Sequence, residues 1–211
     1  VREGYLGLGT ADVDGDGRPE LLVPGVAPVI VSVTPQGAMV LGPRLAPSPE
    51  GPVSPIVTLT EAGGPSLVGG TGKTVSRWGP PVAQASAPTV FASVPELVGS
   101  LLVSKAGQPG GRSLVVSQYR AGVTWFPLVG SRLGRGVELL DGGLTPDSLA
   151  SGDVDGDGLE DLIVGLRYEP SVAFRTLPDG GFTGPVPLPV DRCGMVAAKD
   201  LDLDGRVEIL C

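Results

Sequence analysis

Asp12-Val-Asp-Gly-Asp-Gly-Arg-Pro-Glu20 places acids at positions 1, 3, 5 and 9 of a nine-residue run, and the chain then turns apolar at Leu21-Leu22-Val23. Carboxylates this close repel one another, so a loop that holds them needs either protonation or a cation among them. Asp at positions 1, 3 and 5, Gly at 6 and an acid shortly after is the oxygen-donor pattern of a calcium loop, in which Gly permits the sharp turn around the ion. On this reading Asp12, Asp14, Asp16 and Glu20 offer side-chain oxygens, Arg18 offers its backbone carbonyl, and Gly17 makes the turn. An EF-hand loop closes with Glu at position 12 and leads into a helix. This loop closes at position 9 and leads into a short apolar run stopped by Pro24-Gly25, so it joins two strands.

The pattern recurs as Asp153-Val-Asp-Gly-Asp-Gly-Leu-Glu-Asp161 and as Asp200-Leu-Asp-Leu-Asp-Gly-Arg-Val-Glu208, each followed by an apolar run. The first Asp residues lie 47 apart in the last pair (153 to 200) and 141 apart in the first (12 to 153), and 141 is three times 47. Two further copies are therefore expected in between. Thr58 to Ser66 and Lys105 to Ser113 stand at those places, and Gly holds the sixth position of all five loops, as Gly17, Gly63, Gly110, Gly158 and Gly205. Thr58, Thr60, Ala62 and Ser66 carry no charge and Lys105 puts an ammonium in the first ligand position, so the second and third loops read as metal-free. Three ions are expected. Trp78 and Trp125, also 47 apart, support the same register.

A period of roughly 20–50 residues marks a solenoid, propeller or array. Between successive loops there is room for four short strands, which in the first unit fall at Tyr5 to Ala11, Glu20 to Val23, Val29 to Val33 and Ala38 to Leu41, with Gly and Pro turns between them. No segment has a sustained helical period with caps. The fold expected is an all-β propeller of four-stranded antiparallel blades with a repeat of about 47 residues, four full blades and a partial fifth, occupying residues 1–211. The repeat loops are 12–20, 58–66, 105–113, 153–161 and 200–208.

The stretch Leu149-Ala-Ser-Gly-Asp-Val-Asp-Gly-Asp-Gly-Leu-Glu-Asp-Leu-Ile-Val-Gly165 resembles the FG-GAP and VCBS repeat families, the calcium-loop blades of integrin α-subunit propellers and of many bacterial surface proteins. The resemblance implies that Asp153, Asp155, Asp157, the Leu159 carbonyl and Asp161 form one site. The matching positions are Asp12, Asp14, Asp16, Arg18 and Glu20 in the first unit, and Asp200, Asp202, Asp204, Arg206 and Glu208 in the fifth. It also implies that these loops join the inner two strands of a blade and stiffen one face, while partners engage other loops. The spacing is tighter than is usual in the family, and its Phe-Gly and Gly-Ala-Pro signatures are missing apart from an echo in Gly25-Val-Ala-Pro28.

The 34 Gly and 22 Pro of a 211-residue chain would suggest disorder if there were no period, but here they read as turn residues. A net charge of −8 argues against nucleic acid and anionic membranes as partners. Twelve of the 23 acids are the ligands named above, and three divalent ions would bring the charge to about −2. No run approaches the roughly 18 apolar residues of a membrane span. The chain starts at Val with no signal peptide, which points to a mature or trimmed product. The fifth unit stops at Cys211 after its second strand, so a longer propeller, or another chain or segment, is expected to supply the missing strands.

Trp78 and Trp125 either stack on a sugar or partner or pack between sheets, and their equivalent placement favours packing. Arg77 reads as a surface residue. Cys193 and Cys211 are an even pair suited to a disulfide in an exported chain. Simple hairpin pairing sets Cys211 opposite a residue near Ala197, so the bridge requires an irregular strand or other geometry. With no His there is no Ser-His or Cys-His pair and no imidazole metal site. The acids outside the loops, such as Glu96, Glu138, Asp141 and Asp147, form no catalytic constellation. The expectation is a non-enzymatic, calcium-stabilised protein-binding, adhesion or scaffold module, extracellular, on the cell surface or periplasmic. Two alternatives stay open: a glycan-binding lectin, and an accessory propeller of a polysaccharide-active enzyme.

Overall fold

The computed structural model describes residues 8–14, 16–61, 63–80, 82, 87–189 and 193–211. Every named element is a strand. The first sheet is an antiparallel meander of β1 (Gly9–Ala11), β2 (Glu20–Val23), β3 (Val29–Val33) and β4 (Met39–Arg44). Two of these strands coincide with the sequence reading residue for residue, the fourth runs three residues further, and Tyr5 to Gly7 of the expected first strand lie outside the described residues. The second sheet repeats the meander with β5 (Ile56–Glu61), β6 (Gly64–Thr71), β7 (Thr74–Trp78) and β8 (Thr89–Ser93).

The third sheet contains β9 (Val98–Ser104), β10 (Arg112–Gln118) and β11 (Gly122–Val129), and its outer position is shared by β12 (Arg132–Leu133) and β13 (Val137–Leu140). Both short strands pair with β11, one at Leu128 and Val129 and the other from Val123 to Trp125, so five strands stand where four are expected. Gly134 and Gly136 fall in the break between them. The fourth sheet is β14 (Pro146–Gly152), β15 (Asp161–Leu166), β16 (Val172–Phe174) and β17 (Val186–Pro187), and the chain ends with the pair β18 (Ala197–Lys199) and β19 (Glu208–Leu210).

The second strand of each repeat is the most buried. β15 is buried at every residue and β10 at all but the first, whereas the outer strands β4 and β17 are largely exposed. The reason is visible in the alternation of β15. Leu162, Val164 and Leu166 pack with Val115, Phe174 and their neighbours, while Ile163 on the opposite face packs with Ala150, Cys193 and Val196. A strand covered on both faces needs apolar residues at successive positions, which is why Leu162-Ile163-Val164 is continuous and not alternating. Outer strands are covered less and carry Pro43 and Pro187, whose missing N–H costs nothing on an edge.

The chain divides into two compact units, residues 1–101 and 102–211. In the first, Leu22, Ile30, Leu45, Val53, Ile56, Leu67 and Trp78 form a core that draws on both of its sheets. In the second, one core joins residues of the third and fourth sheets, including Val115, Val123, Leu162 and Phe174, with Trp125 and Phe182 packed against it. A smaller core joins the fourth sheet to the terminal strand pair through Ile163, Cys193 and Val196. Close approach there requires Gly165, because a Cβ at that position would sit 2.5 Å from Ser148 Oγ and 2.8 Å from the Cys193 carbonyl oxygen.

Both tryptophans are core residues, Trp78 fully buried and Trp125 partly. Each indole N–H is satisfied by a carbonyl, Ala46 at 2.9 Å and Ala106 at 3.2 Å respectively. Their register differs from the one the spacing suggests. Trp78 faces Leu67, ten positions into its repeat counted from Thr58, while Trp125 faces Val115, eleven positions in counted from Lys105. Cys193 and Cys211 form a disulfide with Cα atoms 5.5 Å apart. Regular pairing ends at Ala197 opposite Leu210, and the chain bends at Gly194 and Met195 to bring Cys193 within reach.

Candidate metal centres

The three acidic loops share one pattern of internal hydrogen bonds. The position 1 carboxylate accepts the N–H of the sixth-position glycine: Gly17 to Asp12 at 2.9 Å, Gly158 to Asp153 at 2.8 Å and Gly205 to Asp200 at 3.0 Å. The position 3 carboxylate accepts the N–H of position 5: Asp16 to Asp14 at 3.1 Å, Asp157 to Asp155 at 3.3 Å and Asp204 to Asp202 at 3.2 Å. The closing acid accepts the N–H of position 2: Val13 to Glu20 at 2.6 Å, Val154 to Asp161 at 3.1 Å and Leu201 to Glu208 at 2.7 Å. Short acidic side chains favour such local backbone bonds, so the loop takes its shape from its own residues. The glycines complete it, with φ of +85° at Gly17 and Gly158 and +93° at Gly205.

This folding brings the carboxylates of positions 1, 3 and 9 together. Asp12, Asp14 and Glu20 each offer an oxygen within 4.8 Å of the others, as do Asp153, Asp155 and Asp161, and Asp200, Asp202 and Glu208. The position 5 residues Asp16, Asp157 and Asp204 are outside these groups. Each accepts the N–H of position 7, from Arg18, Leu159 and Arg206, at 2.8 Å in every loop. Sequence spacing alone places four carboxylates in each loop, and the structure converges three.

These donor sets fit a hard cation. All are carboxylate oxygens, the type calcium prefers over the nitrogen and sulfur sites of softer metals. In the fifth loop one oxygen of Asp200 accepts Gly205 N–H while the other, Oδ1, is buried with no hydrogen-bond partner among the described residues. A buried carboxylate oxygen with no donor is costly unless a cation completes it. In the fourth loop Asp161 is fully buried, and its carboxyl is pushed above the ordinary carboxylate range. Burial is the main cause, the N–H groups of Thr176 and Val154 oppose it, and Asp155 and Asp157 add repulsion.

Arginines that the sequence reading did not assign to the fourth loop also bear on it. Arg175 Nε lies 3.4 Å from Asp155 Oδ2. Arg206 of the fifth loop lies over Gly156, where an added Cβ would come 2.5 Å from its Nε, and Val207 N–H donates to the Asp153 carbonyl at 3.0 Å. Nothing in the spacing marks Arg175, which is brought in by the pairing of β15 with β16.

The second loop departs from expectation. Thr58 to Glu61 belong to β5 and Ser66 to β6, joined by a tight hairpin in which Glu61 faces Gly64, and Ala62 lies outside the described residues. The left-handed position is Gly64, at φ +111°, and not Gly63. Arg77 is half-buried and engaged, not a freely exposed surface residue. Its guanidinium pairs with Glu61, whose side chain is only 6% exposed, while Ser66 Oγ donates to the same carboxylate and Phe91 covers the guanidinium. The third loop keeps the turn at Gly110, φ +74°, but has seven residues between β9 and β10 where the acidic loops have eight between their strands.

Residues 153–211 match the FG-GAP-like repeat family. No curated protein matches the sequence. The fold is similar to that of the BP39L lectin from Burkholderia pseudomallei, with a TM-score of 0.70 at 15% identity over 93% of this chain. The match spans 60% of the lectin's length. It is also similar to BBS1N, solved in complex with ARL6DN, with TM-scores of 0.54 (mercury soak) and 0.51 (lead soak) at 13% and 12% identity. These matches cover 90% and 96% of this chain and 68% and 72% of BBS1N.

Proposed function

We propose that this chain is a non-enzymatic, calcium-stabilised β-propeller module that binds a protein or glycan partner outside the cell or in the periplasm. The observation that carries the reading is the same three-carboxylate convergence in three loops, one of them with the buried, unpartnered Asp200 Oδ1. The repeated four-stranded meanders and the match of residues 153–211 to FG-GAP-like repeats support the propeller form. A bound calcium ion supplies the positive charge that the converging carboxylates lack. Within the protein, the position 1 and 9 acids hold the loop backbone through the Gly and position 2 N–H groups, so order in the loop passes directly to β1 and β2, β14 and β15, and β18 and β19. The disulfide between Cys193 and Cys211 supports an oxidising location.

Equilibrium dialysis with metal analysis tests the reading. Three calcium ions per chain are expected, one at each acidic loop. A chain that takes up no calcium at millimolar concentration overturns it, and ions at 58–66 or 105–113 overturn the account of ligand loss. The fold shared with the BP39L lectin favours glycan as a second reading of the partner, and a glycan array in calcium separates it from protein binding.

A further inference from the structure

The third loop has no acids and keeps the sixth-position turn at Gly110, while its other positive φ falls at Gly107, position 3, where the fourth and fifth loops have theirs at position 4. Gln108 takes over part of the work, donating from Nε2 to the Leu128 carbonyl at 2.8 Å and accepting Leu128 N–H on Oε1 at 3.0 Å. Ser113 Oγ donates to the Ala106 carbonyl at 2.9 Å, and Gly107 N–H donates to Thr176 Oγ1 at 2.8 Å. None of these bonds uses the side chains of Lys105 or Arg112, which are both exposed. Those two cations stand at repeat positions 1 and 8 of this loop, which carries no carboxylate ligands.

With Val103, Ser104, Ser151 and Glu160 they line a cleft of about 320 Å³. Glu160 is held in place there, accepting Lys105 N–H at 3.0 Å and the Ser151 hydroxyl at 3.3 Å on Oε2. The volume is near the low end of the range for small-molecule sites, roughly 300–1,000 Å³. Two cations against one carboxylate leave a net positive lining in a chain of net charge −8.

The lining selects among anions. Lys and Arg donate to a carboxylate or a phosphate alike. Glu160 repels a dianion more than a monoanion, and its carboxylate and the two serine hydroxyls suit a ligand that brings hydroxyl groups beside its single charge. Val103 is the one apolar residue of the lining, which offers little to the side chains of an acidic peptide. We propose that this cleft is a binding site for a sugar acid, a uronate unit of an acidic glycan. The inference rests on the binding-module reading and names a ligand class for it. Lys105 and Arg112 hold the carboxylate, and Ser104, Ser151 and Glu160 meet the ring hydroxyls.

The test uses the full chain in calcium with four probes: an oligogalacturonate, a neutral galactan oligomer of equal length, a polyglutamate peptide and inorganic phosphate, each followed by titration calorimetry. The oligogalacturonate is expected to bind and the neutral oligomer not to. Lys105→Ala and Arg112→Ala are each expected to weaken binding by about tenfold or more, through loss of a charge-assisted bond. Both should leave the melting temperature unchanged, since neither side chain holds the fold. Glu160→Gln should raise the affinity for phosphate. No binding of the oligogalacturonate, binding by either alanine variant as tight as by the wild type, or equal affinity for polyglutamate overturns the proposal. A neutral glycan that binds the wild type and both variants alike removes the cleft and leaves the binding-module reading standing. A chain that also takes up no calcium removes the calcium-stabilised module as well.

Discussion

In the fourth repeat, strands β14 and β15 are separated by the eight residues 153–160, while in the second, β5 and β6 are joined by residues 62–63 alone. Both junctions bury a carboxylate, Asp161 in one and Glu61 in the other. The fourth repeat surrounds its acid with further acids and, on the calcium reading proposed above, takes its main counter-charge from solution, with Arg175 beside Asp155 as the chain's own contribution. The second supplies the cation from its own chain, as Arg77 on β7, which pairs with Oε2 and leaves Oε1 buried with no hydrogen-bond partner among the described residues. A buried charge is tolerated only with a counter-charge, which the second junction draws from its own chain and, on the calcium reading, the fourth draws largely from a bound ion. On that proposal an internal guanidinium makes the junction independent of calcium, whereas an acidic loop ties its order to the calcium concentration.

Calcium removal should reveal the contrast most strongly. Extracellular calcium modules bind with Kd on the order of 10⁻⁴–10⁻³ M. A site with Kd of about 0.1 mM in 1 mM calcium gains about 1.4 kcal/mol, so three independent sites supply about 4 kcal/mol. Chelation should lower denaturant stability by about that amount and direct proteolysis to residues 12–20, 153–161 and 200–208. Cleavage at 58–66 that also rises with chelator would break the comparison.

Arg77→Met should cost about 3 kcal/mol, because it leaves Glu61 buried without its partner. The loss should be equal in calcium and in EDTA, and adding Glu61→Gln should recover part of it. A loss that appears only in one of the two buffers would show that the second junction is not self-sufficient.

Asp155→Ala should remove one calcium and about 1.4 kcal/mol of calcium-linked stability under the same conditions, leaving the other two ions in place. Unchanged stoichiometry by metal analysis contradicts the assignment of Asp155. The smallest effect is expected at Leu203, which takes φ +63° at loop position 4, where the fourth loop has Gly156 at +83°. Leu203 is 85% exposed, so no packing repays the strained backbone. Leu203→Gly should stabilise the fifth loop by about 1 kcal/mol, read as a higher melting temperature in calcium.

Much of the architecture was legible because it is encoded locally. Apolar runs such as Leu162-Ile163-Val164, the Gly and Pro turns between them and the spacing of Asp12, Asp153 and Asp200 each depend on a few adjacent residues. The second loop was not legible. Thr58 to Ser66 align with the acidic loops by count, yet Thr58 and Thr60 have the β-branched form that extends a strand, and the hairpin absorbed them. Gly63 matched the expected sixth position in number, while the turn chose Gly64. The split of the third sheet's outer strand into β12 and β13 gave no signal in the period either.

The sequence by itself determined an all-β chain of repeated antiparallel sheets, acids concentrated in three of the loops and a cysteine pair. Those properties follow from residue type and spacing along one strand or one turn. Tertiary structure decided which distant side chains meet. It set Arg77 on Glu61 and Arg175 beside Asp155, and placed Lys105 and Arg112 in the lining of one cleft. Such meetings depend on strand register and on the packing of one sheet against the next, where a shift of one residue reverses the face a side chain occupies, and no count along the chain records that choice.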